Sequence, residues 1–146
     1  WAQRKGYKPL INARIETMNE KVSFKKLINL NRCVVVADGF YEWKRENKIK
    51  TPYFLFRKDK KTVFFAGIYQ NNQFCIITEQ SDSIISKIHN RQPVIIEEKD
   101  IKNYTNINYE AIKLLINRDR PKLDFYEISK NVNNPINNNL SLIKKI

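Results

Sequence analysis

Glycine, cysteine and histidine are scarce in this chain: 3 Gly, 2 Cys and 1 His among 146 residues, with 5 Pro. So little Gly and Pro leaves no flexible linker that would mark a second domain, and no internal repeat is visible. One domain across residues 1–146 is therefore expected, long enough for a single hydrophobic core. Two cysteines cannot make a disulfide scaffold. Both stand in apolar, strand-like runs, Cys33 in RCVVVAD and Cys75 in FCIIT, and are expected to be buried free thiols of an intracellular protein. Two thiols and one imidazole do not complete a Cys/His zinc site without carboxylates, so neither a structural metal nor a cofactor is expected. No apolar run approaches a membrane span. The expected location is the cytoplasm, at the nucleoid if the source is bacterial, with no membrane partner. The first residue is Trp1 and not Met, so a preceding N-terminal piece is expected.

Acidic residues are also outnumbered, 15 Asp and Glu against 27 Lys and Arg, for a net charge of +12. Clustered cations are rewarded by phosphate neutralisation and counterion release, so a polyanion partner is one reading. General enrichment in Asn, Lys and Ile would give the same excess, and charge alone does not separate the two. With 42% hydrophobic and 12% aromatic residues, the chain is too apolar to be disordered.

Residues 11–16 alternate between apolar and polar, the pattern of a half-buried strand, with Ile11, Ala13 and Ile15 on one face and Asn12, Arg14 and Glu16 on the other. A helix over 23–30 with Ser23 as N-cap should follow. Strands are then expected at CVVVA, FYEWK, PYFLF, VFFAGIY and FCIIT, separated by polar turns at RENK, KDKK and QNNQ. The continuously apolar runs CVVVA, VFFAGI and CIIT read as central strands covered on both faces. Further on come a short helix over 81–88, a strand PVIIE, helices over 100–104 and 109–117, a strand over 125–128 and a polar tail. The pattern is α+β: a curved, mostly antiparallel sheet closing toward a barrel, with flanking helices.

Three segments carry polar groups suited to chemistry. Asn12, Arg14 and Glu16 on one strand face could hold a nucleotide, Arg by phosphate contact and Asn as donor and acceptor. An ordinary solvated strand face explains the same pattern. In Asp38-Gly39-Phe40-Tyr41-Glu42-Trp43-Lys44, a carboxylate lies among bulky aromatics, where desolvation suits it to proton transfer. An exposed Glu42 beside Lys44 is the plainer alternative. His89 ends the third segment's apolar helix, just before Pro93, where it could act as an acid or base or merely cap the helix.

In order, INARIET, RCVVVADGFYEWK, PYFLF, FAGIY, IITEQ, IHNRQPVII and VNNP resemble the SRAP (SOS-response-associated peptidase) family over essentially the whole chain. Its motifs read, loosely, NARxET, RCLxPADGFYEW, FAGLW, IHxRMPV and VNxP, with a Trp shortly before NAR. The resemblance implies an abasic-site processing protein that binds single-stranded DNA as a monomer. In the family, removal of the initiator Met exposes an N-terminal Cys, whose amine and thiol trap the ring-opened sugar aldehyde as a thiazolidine crosslink. It implies that Asn12 positions that cysteine and the sugar, that Glu42 handles protons at the α-amine, and that His89 works on the sugar hydroxyls. Arg14 and Arg91 would hold flanking phosphates, and Trp1 would stack on a neighbouring base.

The family's nucleophile, in a Met-Cys-Gly-Arg start, is not among these residues, and neither Cys33 nor Cys75 offers a free α-amine. The chain is thus expected to be the family domain without its N-terminal segment, inactive in crosslinking by itself. Val36 for Pro and Gln92 for Met are minor departures. Two other readings remain: a single-strand DNA-binding module without covalent chemistry, and an unrelated RNA-binding domain.

Overall fold

We describe the protein from a computed structural model that defines residues 10–20 and 22–146; Trp1 lies outside the described residues. The strands are β1 (Asn12–Arg14), β2 (Arg32–Ala37), β3 (Phe40–Glu46), β4 (Ile49–Arg57), β5 (Val63–Gln70), β6 (Gln73–Gln80), β7 (Arg91–Pro93), β8 (Ile95–Ile96) and β9 (Leu123–Glu127). The helices are α1 (Val22–Leu30), α2 (Glu98–Thr105) and α3 (Ala111–Asn117). The described strands form two sheets, one ordered β1-β6-β5-β2 with β7 on β6 and β8 on β5, the other β3-β4-β9. The α+β class expected from the pattern is the one observed. All pairings are antiparallel except β1 with β6. Among the described residues hydrogen bonding leaves two facing sheets and not a closed barrel.

Alternation along each strand sorts side chains into layers. One face of the first sheet, through Ala13, Ala66, Ile68, Cys75 and Ile77, meets Phe24, Leu27 and Ile28 of α1, Tyr104 of α2 and Leu115 of α3. Its other face sends Val63, Phe65 and Ile95 against Leu55 and Leu123 of the second sheet, with Phe40 edge-on to Phe65 at 5.6 Å between ring centres. Beyond the second sheet, Phe54, Phe56, Tyr41 and Tyr126 pack under Val132 and Ile143 of the tail. Each fully buried aliphatic side chain contributes about 1.5–3 kcal/mol relative to exposure. No described helix is long and apolar enough to cross a membrane.

One irregularity sets up the site. The β5–β6 hairpin pairs from Gln70↔Gln73 to Gly67↔Ile76 and then splays. Segment 91–96 wedges into the gap: Gln80↔Arg91 to Thr78↔Pro93 on one side, Phe65↔Ile95 and Phe64↔Ile96 on the other. Val94 bridges both strands, donating to Ile77 O (2.8 Å) and accepting from Ala66 N (2.9 Å). The expected PVIIE strand is therefore two short ones. Gly67 sits at the fork, where a Cβ would lie 3.1 Å from Cys33 Sγ and 3.2 Å from Cys75 O.

Other elements differ from expectation for identifiable reasons. The first strand stops at Arg14 and passes into a 3₁₀ turn, Ile15–Thr17, so Glu16 leaves the face of Asn12 and Arg14. Helix α1 starts at Val22, which puts Ser23 in its first turn and not at the cap. Of the helix expected over 81–88 only the 3₁₀ turn Ile85–Lys87 forms, where Asp82 Oδ1 accepts the N–H groups of Ile84 and Ile85 at 3.0 and 2.9 Å. β2 is an edge strand among the described residues, not a central one, and Val36 is 64% exposed. β5 and β6 do have neighbours on both sides.

Glu46↔Ile49 and Gln70↔Gln73 close hairpins whose two-residue turns, Asn47-Lys48 and Asn71-Asn72, have positive φ throughout. That is the turn class whose twist matches the strands and which favours Asn-Gly. Lys48, at φ 71°, carries the least suitable side chain. Lys48→Gly is expected to raise stability by about 1 kcal/mol, read as a higher urea midpoint at unchanged slope.

Candidate functional site

β3 is an edge strand of the second sheet, and its alternation divides the aromatic segment. Phe40 and Glu42 take the face turned toward the first sheet, Glu42 opposite Tyr53 and beyond the point where the apolar core ends. Tyr41 and Trp43 take the other face, where Tyr41 packs on Phe54 at 5.9 Å. Gly39 is required by close approach: a Cβ there would stand 2.4 Å from Leu55 O. The glycine of this motif thus serves the sheet and not the chemistry. Trp43 is pinned by a 2.8 Å bond from its Nε1 to Asn133 Oδ1 in the tail, and its backbone N–H donates to Glu42 Oε1 at 3.0 Å.

His89 arrives from the other sheet's wedge. Ile85 and Ile88, 0% and 7% exposed, anchor the turn before it, and its N–H bonds Ile85 O at 3.0 Å. Only one 3₁₀ turn precedes it, in place of the helix expected there. Its Nδ1 lies 3.1 Å from Arg91 O and 3.2 Å from Arg91 N, which holds the ring by its inner edge. Nε2 has no partner among the described residues. Nδ1 stands 3.8 Å from Glu42 Oε2, too far for a hydrogen bond but within ion-pair range. The two side chains are 41% and 24% exposed and share a pocket of 470 Å³.

Arg91 was expected to hold a phosphate, yet its guanidinium is already engaged. Nη1 and Nη2 grip Glu16 at 2.7 and 3.0 Å, and Nη2 also donates to Thr78 O at 2.8 Å. Its Nε is buried without a partner among the described residues. Those hydrogen bonds from Arg91 hold the Glu16 carboxyl below its ordinary range, against the opposing pull of desolvation, and the N–H of Gln80 adds to them. The clamp ties the turn after β1 to β6 and β7, and so fixes the backbone that carries His89. Asn12 and Arg14 flank buried Ala13 and are exposed, and their side chains make no hydrogen bond or ion pair among the described residues. In register with Ile76 and Thr78, they occupy the face opposite the helices, the one that Thr78 and Arg91 share. No described hydrogen bond or ion pair joins them to Glu42 or His89.

Burial pushes the Cys75 thiol up to about 12 and raises that of Cys33 as well, so neither is a thiolate at neutral pH. No group of three or more His, Cys, Asp or Glu converges among the described residues.

Sequence reasoning missed Glu16 as a clamp and Asn133 as the anchor of Trp43. Their partners lie 75 and 90 residues away, and no local signal marks Asn133 within its Asn-rich tail.

A sequence model of the family described as SOS response associated peptidase (SRAP) matches residues 1–135. The abasic site processing protein YoqW of Bacillus subtilis is 36% identical over 99% of this chain and 71% of its own length. The abasic site processing protein YedK of Escherichia coli is 30% identical over 94% of this chain and 68% of its own. Among solved structures, a protein from Bacteroides thetaiotaomicron superposes with a TM-score of 0.81 at 27% identity, over 92% of this chain and 65% of that one. The chain thus spans about two thirds of the proteins it resembles.

Proposed function

Since the chain belongs to the SOS response associated peptidase (SRAP) family, we propose that it is the DNA-holding and proton-handling part of an abasic-site processing protein acting on single-stranded DNA. The observation that carries this reading is the meeting of Glu42, on β3 of the second sheet, and His89, in the loop just before β7 of the first, at 3.8 Å in one pocket. A carboxylate and an imidazole so placed suit stepwise proton transfer to an amine and to a sugar hydroxyl.

In the proposed reaction His89 assists opening of the deoxyribose hemiacetal to its aldehyde. The α-amine of an N-terminal cysteine adds to that aldehyde, with Glu42 accepting a proton, and water leaves to give an imine. The cysteine thiol then adds across the C=N bond, its sulfur to the carbon and its proton to the nitrogen, which closes the thiazolidine ring. An α-amine with pKa near 8 is partly neutral at cellular pH, which lets it attack. Asn12, its amide unsatisfied, would orient cysteine and sugar. Arg14, open and exposed, would take a phosphate. Arg91 would reach one only by exchanging Glu16 for it, so its first role is to position His89. Trp1 would stack on an adjacent base. Cys33 and Cys75 take no part, since each is inside a strand and lacks a free amine. Removal of an initiator Met, exposing the cysteine, would use Glu42 as well.

The test is a denaturing gel of the protein carrying a Met-Cys-Gly-Arg-type N-terminal segment, incubated with single-stranded DNA containing one abasic site. A slow-migrating adduct is expected, lost when the terminal Cys is replaced by Ala. A folded protein that binds the DNA and forms no adduct would leave only a binding module.

A further inference from the structure

The register of the β3–β4 hairpin places Arg45 directly opposite Lys50. Like charges in that position repel across the sheet, and an ordinary surface hairpin avoids them. Neither has an acidic partner among the described residues, although acids are at hand: Lys44, one residue away, is bound to Glu46 at 2.8 Å. Both cations project on the Trp43 side of the hairpin, and Lys50 Nζ sits 4.7 Å from the Trp43 ring centre. They also rim the pocket that contains Glu42 and His89, where Ser86 and Asn90 form the far wall. An unneutralised cation pair at the mouth of an acid–base pocket is a seat for an anion. Elsewhere Arg57 is matched by Asp59 and Glu97 and Arg118 by Glu79, while buried Arg32 donates to the carbonyls of Asn29, Asn106 and Tyr109.

We propose that Arg45 and Lys50 seat a backbone phosphate of the single strand next to the abasic sugar, entering over Trp43. The Arg fork supplies two directed N–H bonds to phosphate oxygens and the Lys a mobile point charge. The ring of Trp43, fixed at its edge by Asn133 and covered on one face by Lys50, sets the height at which the strand passes. This rests on the proposed single-stranded DNA substrate and adds two residues outside the family motifs quoted above.

The test is fluorescence anisotropy of a labelled single-stranded oligonucleotide with a tetrahydrofuran abasic analogue, titrated with the 146-residue chain across a salt series. Arg45→Gln/Lys50→Gln is expected to weaken binding about tenfold at low salt and to flatten the log–log salt slope by about 0.7–1.4, one to two single-strand phosphate contacts. Lys25→Gln/Lys102→Gln, two exposed lysines on the helical layer, removes the same charge and should change affinity less than about twofold. Relief of the repulsion predicts that Arg45→Gln/Lys50→Gln melts no lower than wild type, so weaker binding cannot be ascribed to unfolding. An unchanged slope in that variant, or an equal loss in the helical control, overturns the seat and leaves the substrate reading standing. Absence of any binding by the wild type overturns both.

Discussion

Glu79→Ala is expected to cost the fold about 3–5 kcal/mol, a large part of the 5–15 kcal/mol that holds a domain of this kind together. Glu79 is 3% exposed, accepts from Arg118 and from Gln92 at 3.3 Å, and forms an ion pair with Arg120 at 3.1 Å. The Arg118 side chain is 1% exposed, and its Nε donates to Ile95 O at 2.7 Å. Removing the carboxylate would leave that guanidinium buried without a counterion, which costs far more than the pair contributes over an apolar replacement. Glu79→Gln keeps the shape and an acceptor and should lose less. Urea unfolding of the three proteins decides it, and a loss below about 1 kcal/mol for Glu79→Ala would mean that water reaches Arg118 after all. The hub also reaches the site: Gln92 is adjacent to Arg91, so its disturbance loosens the backbone that carries His89.

The second large effect concerns rate. With the N-terminal cysteine segment in place, Glu42→Gln and His89→Ala are each expected to slow adduct formation about 10²–10⁴-fold, the usual scale of a lost general acid or base. Neither residue is assigned a phosphate contact, so affinity for single-stranded DNA should stay within a few-fold. The double variant should be little slower than the worse single one, because groups 3.8 Å apart act as a unit. A gel time course gives the rates and anisotropy gives the affinity. Rates within threefold of wild type in both single variants would remove this pair from the mechanism. A parallel loss of rate and affinity would assign them to binding instead.

Much of this architecture was legible in advance because the interactions that create it are local. Apolar and aromatic runs marked β3 to β6, and polar turns at RENK and QNNQ marked their hairpins, since a two-residue turn leaves neighbouring strands one way to pair. The split of Phe40 and Glu42 from Tyr41 and Trp43 follows from the same alternation. Apolar content misled on position in the sheet: CVVVA reads as central, yet β2 lies at an edge among the described residues, covered by helices over one face and the second sheet's core over the other. The helix expected over 81–88 shrank to one 3₁₀ turn, Ile85–Lys87, with Asp82 accepting the N–H groups of Ile84 and Ile85 at its start.

For the site, residue types and motif order determined which side chains to watch: Asn12, Arg14, Glu42, His89 and Arg91 were all named from sequence, as was the family. Only the tertiary structure decided what each one faces. The splay of the β5–β6 hairpin at Gly67, which admits segment 91–96, brings His89 to Glu42, and no pattern along the chain encodes that fork. The same wedge hands Arg91 to Glu16, so a residue expected to hold a phosphate also serves as a clamp. Cross-strand register then puts Arg45 against Lys50 with no acid between them. Composition set the charge at +12 from the start, but which cations remain unpaired depends on long-range pairing, a property of the folded chain alone.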